Sequence, residues 1–79
     1  MSDLILYEKT GCPWCIKVLN FASEKGIQFE LRNIADAGVA EELIARGGKR
    51  QVPYLVDLKN GTEMYESADI VEYLSKRTN

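Results

Sequence analysis

Residues 4–15 read Leu4-Ile5-Leu6-Tyr7-Glu8-Lys9-Thr10-Gly11-Cys12-Pro13-Trp14-Cys15: an apolar run, a turn, and two cysteines spaced by two residues at the head of a helical pattern. The run Leu4 to Tyr7 is continuous rather than alternating, which predicts a strand buried on both faces at the centre of a parallel or mixed sheet. Pro13 suits the first position of a helix, where its missing N–H costs nothing. Cys12 then sits at the helix N-terminus and Cys15 one turn in, so their sulfurs can close a disulfide without moving the backbone far. These are the only cysteines in the chain. The loop they would close is too short to constrain the unfolded chain much, so they read as a redox dithiol and not as a structural staple.

With 79 residues and 46% hydrophobic side chains, the chain is expected to form a single domain, 1–79, around one thin core. Met1 to Tyr7 carry no basic leader and no long apolar stretch, which predicts neither a signal peptide nor a membrane span and makes the cytoplasm the expected location. A net charge of -2 and a pI near 5.0 argue against a nucleic-acid partner. Arg46, Lys49 and Arg50 are read as a solvated loop. Two cysteines and no histidine fall short of the four ligands of a structural zinc site, so no metal is expected.

The remaining elements follow outward from the cysteines. Ile16, Val18, Leu19 and Ala22 supply an inward face to the first helix, which Lys25-Gly26 ends. Ile27, Phe29 and Leu31 alternate with polar residues and predict a second strand, parallel to the first, with one face or edge in water. Asp36 is the expected cap of a second helix with Val39, Ala40, Leu43 and Ile44 on one side and Gly47-Gly48 at its end. Leu55 to Leu58, Asn60-Gly61 and Glu63 to Tyr65 read as an antiparallel hairpin with a type I′ turn. Ser67 is the expected N-cap of a last helix that turns Ile70, Val71 and Leu74 inward, with Asp69 near its start and Lys76 and Arg77 near its end. The order β-α-β-α-β-β-α predicts an α/β fold, a central four-stranded mixed sheet flanked by three helices.

That order, with Cys-x-x-Cys after the first strand, is the thioredoxin-like arrangement. Lys9-Thr10-Gly11-Cys12-Pro13-Trp14-Cys15, Gln51-Val52-Pro53 and Glu66-Ser67-Ala68-Asp69-Ile70-Val71-Glu72-Tyr73-Leu74 closely resemble the glutaredoxins, and the last stretch also resembles the N-terminal domain of glutathione S-transferases. The resemblance covers essentially the whole chain. It departs from the usual glutaredoxin pattern at Trp14, Gln51 and Ala68 and in having no Gly-Gly pair before Ser67. The Glu66-Ser67 pair is what a glutathione transferase has, but a transferase also uses a second, all-helical domain that 79 residues do not hold.

The chemistry this implies starts from the thiolate, which is the nucleophile in thiol exchange, and a free cysteine near pKa ~8.5 is mostly protonated at neutral pH. The helix N-terminus and the Lys9 ammonium are expected to favour the thiolate of Cys12, while Cys15 lies deeper. Cys12 is therefore the expected attacking sulfur and Cys15 the resolving one. The resemblance implies a cis Val52-Pro53 bond, with the Val52 backbone open to pair with the glutathione backbone, and glutathione contacts from Gln51 and the rim residue Trp14. Lys9 is then expected to take the glycyl carboxylate, Ser67 and the first N–H groups of the last helix the γ-glutamyl carboxylate, and Glu66 the ammonium. Tyr7, ending a buried strand, is read as packing and not as a thiol-activating phenol.

The resulting expectation is a small dithiol glutaredoxin that reduces protein disulfides and glutathione mixed disulfides. Glutathione is its co-substrate, no cofactor is tightly bound, the chain is expected to be a monomer, and disulfide-containing or glutathionylated proteins are its partners. The alternatives are a thioredoxin-type reductant served by a flavoprotein reductase, and a glutathione-binding or iron–sulfur carrier module. Pro13 counts against the carrier, since cluster carriers of the family usually have a less constraining residue there.

Overall fold

The structure is a computed structural model that describes residues 3–77. Met1, Ser2, Thr78 and Asn79 lie outside the described residues, and with them the start of the N-terminal reading and both ends of the 1–79 domain assignment. The chain runs β1 (Leu4–Glu8), α1 (Pro13–Glu24), β2 (Glu30–Asn33), α2 (Val39–Gly47), β3 (Tyr54–Asp57), β4 (Thr62–Met64) and α3 (Ser67–Arg77). The strands form one mixed sheet in the order β2-β1-β3-β4. β2 runs parallel to β1, and the β1–β3 and β3–β4 pairs are antiparallel.

β1 is an inner strand, as its unbroken apolar run predicts. Its alternation sorts the core into two layers: Leu4 and Leu6 pack with Val18 of α1, Leu55 of β3, and Ile70 and Leu74 of α3. Ile5 and Tyr7 pack on the opposite face with Val39 and Leu43 of α2 and Tyr54 and Val56 of β3. Each fully buried aliphatic side chain contributes about 1.5–3 kcal/mol, and a one-residue slip of β1 would exchange the two sets, so the register is strongly specified. The sheet thus has α1 and α3 on one face and α2 on the other. The loops after β1, before β3 and after β4, with the first turns of α1 and α3, carry the candidate site residues.

Several local expectations are corrected. On α1 the buried positions are Cys15, Val18 and Ala22, a stripe at helical spacing, and Ile16, one residue off it, is 47% exposed. On α2 the stripe is Val39 and Leu43, which leaves Ile44 exposed. Leu31 is exposed because β2 is an edge strand. β2 also starts later than the alternation suggests, since the Ile27 N–H turns back to the Ala22 carbonyl at 2.8 Å and completes the end of α1.

Asp36 does not cap α2 with its side chain: Gly38, in the left-handed region at φ 83°, is the N-cap, and the Asp36 carbonyl accepts the Val39 N–H. The Asn60-Gly61 turn is not type I′, which requires positive φ at both central residues. Gly61 has φ 69° and Asn60 does not, and four residues separate the paired Asp57 and Thr62. The cause is Asp57, whose carboxylate accepts the Lys59 and Asn60 N–H groups at 3.1 and 3.3 Å while its carbonyl accepts the Gly61 N–H at 2.8 Å. Ser67 is the first helical residue and not the N-cap. Glu66 takes that place, its carbonyl accepting the Ile70 N–H at 3.0 Å.

Candidate active site

Cys12 is the N-cap of α1, with Pro13 in the first turn. The turn after β1 brings it there: Gly11 adopts φ 85°, and the Cys12 N–H donates to the Lys9 carbonyl at 3.1 Å. The first N–H groups of a helix have no partner within it, and here Cys12 Sγ accepts the Cys15 N–H at 3.3 Å, the role an aspartate or serine oxygen plays at other helix starts.

The two sulfurs differ in surroundings. Cys12 is partly exposed, whereas Cys15 is 1% exposed, and both are free thiols. Burial first, then the hydrogen bond with Cys12 and the negative charges of Cys12 and Glu8, push the Cys15 thiol up to about 12, against a lowering hydrogen bond from the Lys9 backbone. At neutral pH Cys15 holds its proton.

A groove of about 470 Å³ is lined by Trp14 and Lys17 of α1, by Gln51, Val52 and Pro53, and by Glu66, Ser67 and Ala68. The Val52-Pro53 peptide bond is cis. Strand pairing of β3 with β1 reaches Tyr54, just beyond it, so Val52 lies outside the paired register. The opposite wall is the start of α3, where Ser67 is nearly buried at 9% exposure and Gln51 Nε2 donates to Glu66 Oε2 at 3.1 Å. Trp14, 61% exposed, stands on the α1 side between the cysteines in sequence.

Six of the nine expected residues therefore line one groove: Trp14, Gln51, Val52, Pro53, Glu66 and Ser67. Cys12 and Cys15 do not line it; they sit at the start of α1, whose Trp14 and Lys17 form one wall. Lys9 does not line the groove. Lys17 does, and it was missed although it lies three residues after Trp14, on the same helix face. Tyr7 is packed as expected: it is fully buried, its hydroxyl donates to Glu42, and burial and that carboxylate raise its pKa. Among the described residues no group of three or more His, Cys, Asp or Glu is placed to hold a metal ion. No helix among them is long and apolar enough to cross a membrane.

This is a thioredoxin-like domain carrying a Cys-x-x-Cys motif. Residues 6–79 match the family model of the glutathione S-transferase N-terminal domain, and the chain belongs to that family. It is 36% identical over 56 residues to glutaredoxin 3 of Escherichia coli, an overlap of 70% of this chain and 68% of the relative. Among solved structures it is similar to a glutathione S-transferase from the Antarctic clam Laternula elliptica, with TM-score 0.82 and 29% identity over 98% of this chain and 36% of that one. It is also similar to glutaredoxin 2 of Salmonella typhimurium in complex with glutathione, with TM-score 0.82 and 26% identity over 98% of this chain and 34% of that one. The chain spans about a third of the length of these two solved proteins.

Proposed function

We propose that this chain is a glutathione-dependent thiol-disulfide oxidoreductase of the dithiol glutaredoxin kind, reducing protein disulfides and glutathione mixed disulfides. The observation that carries the reading is the unequal pair of thiols: Cys12 accessible at the α1 N-terminus with the Cys15 N–H on its sulfur, and Cys15 buried and protonated one turn behind. A transferase that only binds and activates glutathione has no use for the second sulfur.

In the proposed cycle the Cys12 thiolate attacks one sulfur of a substrate disulfide. The S–S bond breaks, a mixed disulfide forms on Cys12, and the departing thiolate takes a proton. With a protein substrate, Cys15 gives up its proton and attacks Cys12, releasing the second substrate thiol and leaving a Cys12–Cys15 disulfide. Two glutathione molecules then supply the two electrons and leave as glutathione disulfide. With a glutathionylated substrate, Cys12 attacks the glutathione sulfur, and a second glutathione finishes the exchange without Cys15.

Glutathione is assigned to the groove. Its backbone pairs with Val52, its γ-glutamyl carboxylate meets Ser67 and the unpartnered N–H groups of the first turn of α3, and Glu66 takes the ammonium with Gln51 beside it. Lys17 on the groove wall faces the glycyl carboxylate, and Lys9, from the loop that carries Cys12, adds a second positive charge.

The test compares Cys12→Ser and Cys15→Ser on one glutathionylated substrate and one protein disulfide, each recycled by glutathione and glutathione reductase. Cys12→Ser should lose both activities; Cys15→Ser should keep the first and lose most of the second. If Cys15→Ser is inactive on both, or if only thioredoxin reductase sustains turnover of the unmodified chain, the proposal fails.

A further inference from the structure

The residue immediately before Glu66 has no place in that assignment, yet it joins the two walls of the groove. The Tyr65 hydroxyl accepts the Lys49 N–H at 3.1 Å and donates to the Lys49 carbonyl at 2.7 Å, so one side chain satisfies both backbone groups of a loop residue. Its ring lies on Gly47: a Cβ there would come within 2.3 Å of the Tyr65 hydroxyl oxygen and 2.7 Å of Cζ. The ring also packs at 4.4 Å between centroids against Tyr54, and Lys49 Nζ sits 5.5 Å from its centroid.

The held segment, 47–51, leads directly into Val52 and Pro53, one wall of the groove. Tyr65 leads directly into Glu66 and Ser67, the other wall. Glu66 has φ 71°, the only positive φ of a non-glycine among the described residues, a conformation that persists only where neighbours impose it. The Gln51–Glu66 hydrogen bond repeats the connection at the groove edge. Ring packing needs only a phenylalanine; the hydroxyl is what ties Lys49 down.

We propose that Tyr65 is a positioning residue for the glutathione groove, its hydroxyl fixing the 47–51 loop at the distance from the α3 N-terminus that a bound glutathione requires. This rests on the reading that the groove takes glutathione. The test is Tyr65→Phe, assayed with glutathione as varied substrate and followed in parallel by NMR titration with glutathione. The KM should rise roughly tenfold, the effect of two hydrogen bonds of ordinary net strength, with kcat at saturating glutathione and the Cys12 alkylation rate unchanged. Gly47→Ala, which pushes the hydroxyl from the other side, should raise KM as well, and its effect should be less than multiplicative with Tyr65→Phe. Tyr73→Phe, which removes a phenol hydrogen bond to Asp57 instead, should leave KM within twofold.

A KM for Tyr65→Phe within twofold of the unmodified chain overturns the positioning role, as does an equal rise with Tyr73→Phe, which would trace the effect to general loss of stability. If the unmodified chain shows no glutathione shifts and no saturation, the reading of the groove itself has failed.

Discussion

Replacing Cys12 with serine isolates the buried sulfur and makes its protection measurable. In the folded chain Cys15 is 1% exposed and raised well above the ordinary cysteine range, to about 12, burial being the largest cause. Each step of one in pKa is a tenfold change in thiolate at neutral pH, so folded Cys15 holds far less thiolate than an ordinary cysteine. Cys12→Ser removes the contributions of the Cys12 sulfur and keeps that of burial. Labelling of Cys15 by iodoacetamide at pH 7, counted by mass spectrometry, should then be at least about a hundredfold slower in the folded variant than in the same variant in urea. Because the folded state holds this proton more tightly, its contribution to stability is complete below pH ~9 and declines as pH rises from there toward 12. Folded Cys15 labelling within tenfold of the unfolded rate would refute the reasoning. The protection also bears on mechanism. In the proposed cycle Cys15, being buried, is kept from external disulfides, and a mixed disulfide on Cys12 would remove the negative charge there that raises Cys15. The attack that the proposal assigns to Cys15 is intramolecular, at high effective concentration.

The fully buried Asp57 carboxylate is raised by burial but lowered more by the Tyr73 and Arg77 hydrogen bonds at 2.6 and 2.7 Å, to about 2 from 3.8. That difference corresponds to roughly 2 kcal/mol of stability, present above pH ~4 and lost as pH falls toward 2. Asp57→Asn should therefore cost about 2 kcal/mol or more by urea unfolding at pH 7, and the gap should shrink at pH 2.5; an equal gap at both would count against the ionic account. Lys17→Gln should raise the KM for glutathione roughly fivefold, the ~1 kcal/mol of an exposed ion pair, without slowing Cys12 alkylation. A slowed Cys12 with unchanged KM would move Lys17 from the groove to the thiol.

The parts of the fold that were legible are those where one local rule decides. The continuous run Leu4 to Tyr7 predicts an inner strand, Pro13 a helix start, and Lys25-Gly26 its end, and each is found. Apolar identity alone was less informative. Ile16 and Ile44 sit one residue off their buried stripes, and both are hydrophobic without being inside. The hairpin turn was misread because Asn-Gly carries a strong local preference that a distant network overrides. Asp57 is gripped by Tyr73 and Arg77 of α3, 16 and 20 residues away, and that carboxylate then winds the turn around itself. Nothing in Leu55 to Leu58 marks its aspartate as buried.

The candidate site divides along the same line. The dithiol is contiguous, so the spacing of Cys12 and Cys15 already placed one sulfur at the helix start and the other beneath it. The groove is assembled from three segments far apart in sequence: the first turns of α1, the stretch before β3 and the start of α3. Family resemblance could point to Gln51, Val52, Pro53, Glu66 and Ser67, because their residue types recur in a pattern. It could not point to Lys17, or to Tyr65, whose partners Gly47 and Lys49 lie 18 and 16 residues upstream. A residue that acts by holding a backbone loop in place needs no particular neighbour in sequence. Its hydroxyl meets the loop across the span of the β3–β4 hairpin, so such residues are found by following where the backbone groups of a loop find their partners.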